Sequence, residues 1–179
     1  HKTPRRQRQM CIRDSNMPLD KRYGDETPNP KGDVYHAIQR CVGVLEDNES
    51  SREDKAFYLR LLVHFVGDLH QPLHVGRSED RGGNEIKVRW FGKNSNLHRV
   101  WDSEMINGYQ MSYTELANNL PMCTAEKQQS IVSTSVLDWM HESQRHAKQI
   151  YGSVAQDESL GYAYQREYFP LVRHRLHKG

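Results

Sequence analysis

The segment from residue 64 to 102 constrains the fold more than any other part of the chain, because its side chains are spaced to converge. It reads HFVGDLHQPLHVGRSEDRGGNEIKVRWFGKNSNLHRVWD. His64 and Asp68 are four residues apart, and so are His98 and Asp102. Residues at that spacing share one face of a helix, with Cβ atoms about 5–6 Å apart. Each pair can therefore hold one cation if its segment is helical.

The residue types favour zinc as that cation. Imidazole nitrogen and carboxylate oxygen bind zinc at about 2.0–2.2 Å, and catalytic zinc sites usually have three protein ligands and a position for water. His74, His98 and Asp102 would form such a set. His70 lies off the ligand face, two residues from Asp68, so we expect it to bond to the backbone or to a metal ligand instead of binding metal directly.

A His–Asp pair on a helix is, by itself, more often a surface pair than a metal site. The surroundings of His64 and Asp68 favour the metal. They continue an apolar stripe that begins at Phe57 and Leu61, so the sequence predicts that both point inward. A buried ionised carboxylate needs strong compensation, which a cation supplies.

Apolar periodicity predicts a mainly α-helical fold with one small β-hairpin. Pro72 ends the second helix and leaves His74 on a rigid turn, because proline lacks an N–H and disfavours helical geometry in the residue before it. Gly82 and Gly83 permit a bend before a strand at Glu85–Trp90, and Asn96 or Ser95 caps the short helix that carries His98. The longer helices are expected at about residues 33–46 (capped by Asp33), 51–69, 124–151 and 159–177.

Composition bounds the class of protein. A chain of 179 residues with 36% hydrophobic content can bury one core, and it has no apolar run long enough for a membrane span. The net charge of +2 comes from residues 1–16, which hold five Lys or Arg and one acid, so charge alone does not indicate a nucleic-acid partner. Cys11, Cys41 and Cys123 include no CxxC pair, which argues against a disulfide framework or a thiolate zinc site.

Residues 1–16, HKTPRRQRQMCIRDSN, have no hydrophobic period and no signal-peptide layout. The run RQRQMCIRDS resembles translated sequencing-adapter sequence. We therefore expect residues 1–16 to be a non-native or disordered tail, and residues 17–179 to form a single domain.

The pattern HFxGDxHQPLH, then GGN, then NLHxVWD resembles the S1/P1 nuclease family of zinc-dependent, single-strand-specific nucleases. The resemblance extends through WMHES and YFPLVRHRLHKG further along the chain. It implies a mostly helical domain with three zinc ions at the bottom of a cleft. By motif position, His64 and Asp68 resemble ligands of the buried ion, with Asp68 bridging to a neighbouring one. His74, His98 and Asp102 resemble the ligands of the remaining ion.

The resemblance also implies the activity. Family members are endonucleases that break the bond between phosphorus and the 3′ oxygen of single-stranded DNA or RNA, and they release 5′-phosphorylated products. The nucleophile would be a water activated by zinc, which attacks phosphorus in line. Members are generally secreted or periplasmic, and a monomer is favoured.

The departures from the family pattern are at the ends of the chain. Family members carry an N-terminal Trp, a nearby His, and a further Asp and His, and residues 1–32 contain no convincing counterpart. We therefore expect this chain to lack the family's N-terminal part and its extreme C-terminus, and to be poorly active. Two alternatives stay open, namely a zinc-dependent phosphodiesterase like phospholipase C and a non-catalytic, metal-stabilised binding module.

Overall fold

The structure is a computed structural model that describes residues 19–21, 23 and 33–179. The expected tail, residues 1–16, lies outside the described residues. Within them helices dominate, which confirms the prediction of a mainly α-helical fold. The α-helices are α1 (Val34–Glu46), α2 (Arg52–His70), α3 (Leu97–Arg99), α4 (Met105–Gly108), α5 (Tyr113–Asn118), α6 (Ala125–Val132), α7 (Val136–Gly152) and α8 (Tyr162–Lys178).

Shorter elements connect these helices. A 3₁₀ helix spans Pro72–Val75, and a π-helix at Val100–Glu104 joins α3 to α4. The strands are β1 (Lys87–Trp90), β2 (Lys93–Asn96) and β3 (Glu158–Leu160). No helix among the described residues is both long and apolar enough to cross a membrane.

The predicted hairpin is present, and a third strand extends it. Strands β1 and β2 pair antiparallel around a two-residue turn at Phe91 and Gly92, both with positive φ, as a tight hairpin turn requires. Strand β3 lies parallel to β1 on the other side. Helix α8 consequently begins at Tyr162 and not at 159, because the chain before it is bonded along β1 through Asp157 N–H to Lys87 O (2.7 Å).

The single helix expected at 124–151 is wrong, because two helices, α6 and α7, occupy that region. Ser135 is the N-cap of α7 and interrupts the helix that was predicted here. Its side chain accepts a hydrogen bond from Asp138 N–H, and the Asp138 carboxylate accepts one from Ser135 N–H. This reciprocal capping begins a new helix. Met140 of α7 is fully buried, whereas Val132 of α6 is 65% exposed.

The inward face of α2 also differs from the prediction. The stripe that packs on the core includes Tyr58, Leu62, Phe65 and Leu69, one residue later than the predicted stripe. Leu61 of the predicted stripe also contacts this core, but Phe57 is 46% exposed. A shift of one residue turns a helix by about 100°. His64, predicted to point inward, therefore has a side chain that is 46% exposed.

Two apolar clusters form the core, and the 3₁₀ helix lies between them. Leu73 packs in the cluster built around the sheet and α8, whereas Val75 packs in the cluster of α1, α2 and α7. Both side chains are 0% exposed. The turn that carries His74 is therefore fixed on two sides.

Candidate metal centre

His74 occupies the middle of the 3₁₀ helix, where its side chain is 6% exposed. Gln71 caps this turn by accepting a hydrogen bond from Leu73 N–H at 2.6 Å. Pro72 is the first residue of the 3₁₀ helix, and α2 has ended by then, as predicted. The backbone around His74 therefore has little freedom, and the imidazole has a fixed position.

His98 lies on α3 and is held by the glycine-rich bend. Its Nδ1 lies 2.8 Å from Gly82 O, and its backbone N–H donates to Gly83 O at 3.2 Å. Asn96 caps the helix by accepting from Arg99 N–H at 2.8 Å, one of the two caps the sequence allowed. Because a carbonyl can only accept, His98 Nδ1 carries a proton, which makes Nε2 the ring nitrogen that could bind a metal.

Asp102 belongs to the π-helix and reaches His74. The distance from His74 Nε2 to Asp102 Oδ1 is 3.4 Å, and the Asp102 side chain is 48% exposed. The hydrogen bond with His74 lowers the pKa of Asp102, as do the charges of His74 and His98, while burial opposes the shift. The carboxylate is therefore ionised at neutral pH.

One ligand atom from each of His74, His98 and Asp102 lies within 4.8 Å of the other two. The rings of His74 and His98 have centroids 5.0 Å apart. Two ligands about 2.1 Å from one tetrahedral ion are about 3.4 Å apart, the separation found between His74 Nε2 and Asp102 Oδ1. Two imidazoles, each neutral once it binds a metal, and a carboxylate form a donor set that zinc accepts.

The other proposed pair, His64 and Asp68, lies at the end of α2. His64 Nε2 is 3.2 Å from Asp68 Oδ2, and the Asp68 side chain is 12% exposed. These two residues are not within the three-residue group, but Asp68 and Asp102 line the same cavity of about 250 Å³. The structure thus brings Asp68 to the space beside the group, whereas His64 is not among the residues that line this cavity.

His70 lines that cavity too. Its Nδ1 donates to Val66 O at 2.8 Å, one turn back in α2, and its Nε2 is buried without a hydrogen-bond partner among the described residues. Burial lowers the pKa of His70 to about 4, against the opposing effect of the bond to Val66. The imidazole is therefore neutral at pH 7.

A hydrogen-bonded loop holds the bend that positions His98, and sequence reasoning treated this bend only as a turn. Asp80 Oδ1 accepts from Gly83 N–H (2.7 Å) and from the Tyr151 hydroxyl (2.9 Å), while Asp80 Oδ2 accepts from Arg77 Nε (3.0 Å). The Arg77 guanidinium also lies 4.0 Å from the centre of the Tyr151 ring. No local signal links Tyr151 to this loop, since it is 71 residues from Asp80.

Two of the aromatic residues near the site pack in the core. Trp90 and Trp101 are 7% and 2% exposed, and Trp101 Nε1 donates to the Tyr164 hydroxyl at 2.9 Å. They support the sheet and the π-helix. Phe91, at the hairpin turn, is the exception and is 41% exposed.

Comparisons with known proteins agree with the motifs. The family described as S1/P1 Nuclease matches residues 11–179. Endonuclease 3 of Arabidopsis thaliana is 35% identical over 167 residues, which is 83% of this chain and 56% of that protein. Endonuclease 4 of the same plant is 33% identical over 143 residues, 68% of this chain and 46% of that protein. Nuclease P1 of Penicillium citrinum is 43% identical over 83 residues, 44% of this chain and 30% of that protein. The chain spans about half the length of these plant endonucleases.

Proposed function

Because the chain belongs to the S1/P1 nuclease family, we propose that its activity is the zinc-dependent, endonucleolytic hydrolysis of single-stranded DNA or RNA to 5′-phosphorylated products. The observation that carries this proposal is the convergence of His74, His98 and Asp102, whose ligand atoms lie within 4.8 Å of one another. These residues come from a 3₁₀ helix, an α-helix and a π-helix.

The donor set fits zinc. His98 donates its Nδ1–H to Gly82 O, an arrangement that orients the ring and leaves Nε2 for a metal. His74 directs Nε2 towards Asp102, and the ionised Asp102 offsets part of the charge of a divalent cation. We further assign His64 and Asp68 to neighbouring zinc, with Asp68 as the bridging ligand, because Asp68 lines the cavity that Asp102 also lines.

Zinc bound at such a site lowers the pKa of a water and stabilises charge on phosphoryl oxygens. The chain's own residues contribute position and access. Asp102 is half exposed, so a phosphodiester can approach from its side, while the buried His74 fixes the opposite side. His70 stays neutral beside the cavity, so it adds no positive charge that would repel a metal.

The activity of this chain is expected to be low. Among the described residues one group of three ligands is complete, and His64 with Asp68 gives part of a second. A two- or three-metal mechanism divides the work of stabilising the attacking and leaving oxygens between ions. Fewer ligands would therefore slow the reaction without removing the site.

The assay should offer the zinc-loaded chain single-stranded DNA, single-stranded RNA, duplex DNA and phosphatidylcholine. We expect slow cleavage of the single strands, new 5′-phosphate ends and no cleavage by His98→Ala or Asp102→Ala. His146→Ala is the matched control and should cleave like the unaltered chain, because His146 is bonded to Gln149 and has no part in the site.

Other outcomes would favour the alternatives. Hydrolysis of phosphatidylcholine in preference to nucleic acid would indicate a phospholipase C-like enzyme. One bound zinc without turnover of any substrate, also in a longer version with further ligands, would indicate a metal-stabilised binding module. A rate equal to that of an intact relative would contradict the expectation of low activity.

Localisation and assembly belong to the same proposal. We expect a secreted or periplasmic monomer, as the family resemblance implies. Fractionation of the source cells and light scattering of the purified protein test these two expectations.

A further inference from the structure

A second cavity, of about 620 Å³, runs along the outer face of α8. We call it the α8 groove; its floor extends along α8 from Tyr162 to His177, and its facing wall includes Tyr109, Pro121 and Lys127. Along the sequence, the spacing between successive floor residues alternates between three residues and one. Residues spaced in this way lie on one face of an α-helix. Fifteen residues of helix span about 22 Å. The groove is therefore elongated, and its volume is in the range of about 300–1,000 Å³ of small-molecule sites.

The charged side chains of the α8 groove are all positive. They are Lys127, Arg166 and Arg173, and no Asp or Glu is among the described residues that line the groove. His174 and His177 line it too, and burial lowers the pKa of His174. A cleft lined by one sign of charge attracts ligands of the opposite sign. Arginine in particular matches the geometry of phosphate, with two parallel N–H donors.

Two polar atoms of the α8 groove are buried and lack a hydrogen-bond partner among the described residues. They are Arg173 Nε and His177 Nε2. Arg173 also donates from Nη2 to Asn119 O, and this bond anchors its side chain at the groove. Buried polar groups without a partner are rare in folded proteins, and a bound water or ion is one of the explanations for them.

An aromatic platform lies at the same groove. The rings of Tyr109 and Phe169 are stacked, with centroids 4.2 Å apart and planes inclined by 27°. Phe169 is 5% exposed and Tyr109 is 40% exposed, so Phe169 supports a ring that remains accessible. Nucleobases stack on aromatic rings presented in this way, whatever their sequence.

The α8 groove is separate from the candidate metal centre. The opposite side of α8 contributes Val172, Arg175 and Leu176 to the cavity that Asp68 and Asp102 line. The groove is lined by other residues of the same helix, so a ligand there does not contact the proposed zinc ligands.

We propose that the α8 groove binds a nucleotide unit, either free or within a single strand, with its phosphate on Arg166 and Arg173 and its base against Tyr109. Positive charge selects the phosphate, and the supported tyrosine ring selects the base. This site goes beyond the proposed hydrolysis, because none of its residues takes part in the metal centre.

The test is calorimetric titration of the full chain in EDTA, which keeps metal away from the other site. The probes are thymidine 5′-monophosphate, thymidine, inorganic phosphate and a ten-nucleotide oligothymidylate. We expect thymidine monophosphate to bind at least tenfold more tightly than thymidine. Tighter binding of the oligonucleotide than of the monophosphate would identify a strand as the ligand, and equal binding would identify the free nucleotide.

Substitutions then place the ligand. The double change Arg166→Gln with Arg173→Gln should weaken monophosphate binding about tenfold or more, because charge-assisted hydrogen bonds to phosphate are lost. Tyr109→Leu should weaken binding of the monophosphate about fivefold or more and leave inorganic phosphate unchanged. The matched control is Arg52→Gln with Arg60→Gln, which removes the same charge from exposed positions on α2.

Circular dichroism melts should first establish that each variant is folded. If Arg173→Gln disturbs its bond to Asn119, the exposed Arg166→Gln alone still tests the phosphate contact. Unchanged affinity in the folded Arg variants would overturn the proposal, and so would binding that disappears only in His98→Ala. The presence of EDTA makes this result independent of whether the chain cleaves nucleic acid.

Discussion

The Tyr151 hydroxyl donates a hydrogen bond to Asp80 Oδ1 over 2.9 Å and thereby ties α7 to the loop before the sheet. The same oxygen accepts Gly83 N–H, and the neighbouring Gly82 carbonyl accepts from His98 Nδ1. Tyr151 and Asp80 thus act on the proposed metal ligand through the backbone of the bend.

Replacing Asp80 by alanine is therefore expected to weaken zinc binding about tenfold, since changes to groups that orient a ligating histidine typically cost 10–100-fold in metal affinity. Stability should fall by about 1–3 kcal/mol, because the N–H of Gly83 loses its acceptor. Competition with a coloured chelator measures the affinity. Glu79→Ala removes the same charge from an exposed neighbour and should change neither quantity.

Zinc itself should stabilise the fold. A ligand at 100 times its dissociation constant adds about 2.7 kcal/mol, which corresponds to about 5–10 °C in the melting temperature of a chain this long. Differential scanning calorimetry with and without zinc measures the shift. Asp102→Ala should abolish the shift, and an equal shift in that variant would place the metal elsewhere.

The convergence of His74, His98 and Asp102 could be predicted because its signals are local. His98 and Asp102 are four residues apart after a capping Asn96, and Pro72 fixes the end of α2 before His74. The inward face of α2 could not be predicted from the sequence. Most residues from Tyr58 to Val66 are apolar and form two adjacent stripes on the helix, and periodicity alone does not select the stripe that is buried.

Other differences have physical causes that single-sequence patterns detect poorly. Strand β3 has three residues and exists through its pairing with β1, a contact about 70 residues away in sequence. The break between α6 and α7 did have a local signal, Ser135 followed three residues later by Asp138. The hydrogen bond between Asp80 and Tyr151 had no such local signal, because the two residues are 71 positions apart.

Close packing at Gly76 gives a prediction about stability. A Cβ at this position would lie 2.6 Å from the Tyr151 hydroxyl oxygen and 2.9 Å from Leu73 O. Gly76→Ala should therefore displace the Tyr151 bond and destabilise the chain by about 1–3 kcal/mol. Gly43→Ala is the control, because a Cβ there meets nothing within 4 Å and alanine favours α1 by up to about 1 kcal/mol. Urea unfolding measures the change in the free energy of unfolding of each variant, which should be negative for Gly76→Ala and positive for Gly43→Ala. Loss of stability in Gly43→Ala alone would contradict the packing argument.

The ion-pair network at the end of α8 predicts how stability depends on pH. Lys178 Nζ lies 2.8 and 2.7 Å from the two carboxylate oxygens of Glu142, and the buried Arg175 donates to the same carboxylate. Arg175 also donates to His70 O at 3.0 Å, which connects the network to the end of α2. Burial alone would raise the pKa of Glu142, but the bonds and charges of Lys178 and Arg175 outweigh it and lower the pKa to about 2.

Because the folded pKa lies below the ordinary value of 4.5, Glu142 stabilises the fold above pH 4.5, and this contribution is lost as the pH falls from 4.5 towards 2. Glu142→Gln should lower the free energy of unfolding at pH 7 by about 2 kcal/mol, less than the full shift implies because the group is partly solvated. The difference from the unaltered chain should shrink below pH 4.5 and approach zero near pH 2. Urea titrations at pH 7, 4 and 2.5 measure it. The exposed Glu167→Gln on α8 is a control that should show little difference at any pH. A difference that stays constant from pH 7 to 2.5 would mean that the ionised carboxylate is not the stabilising group.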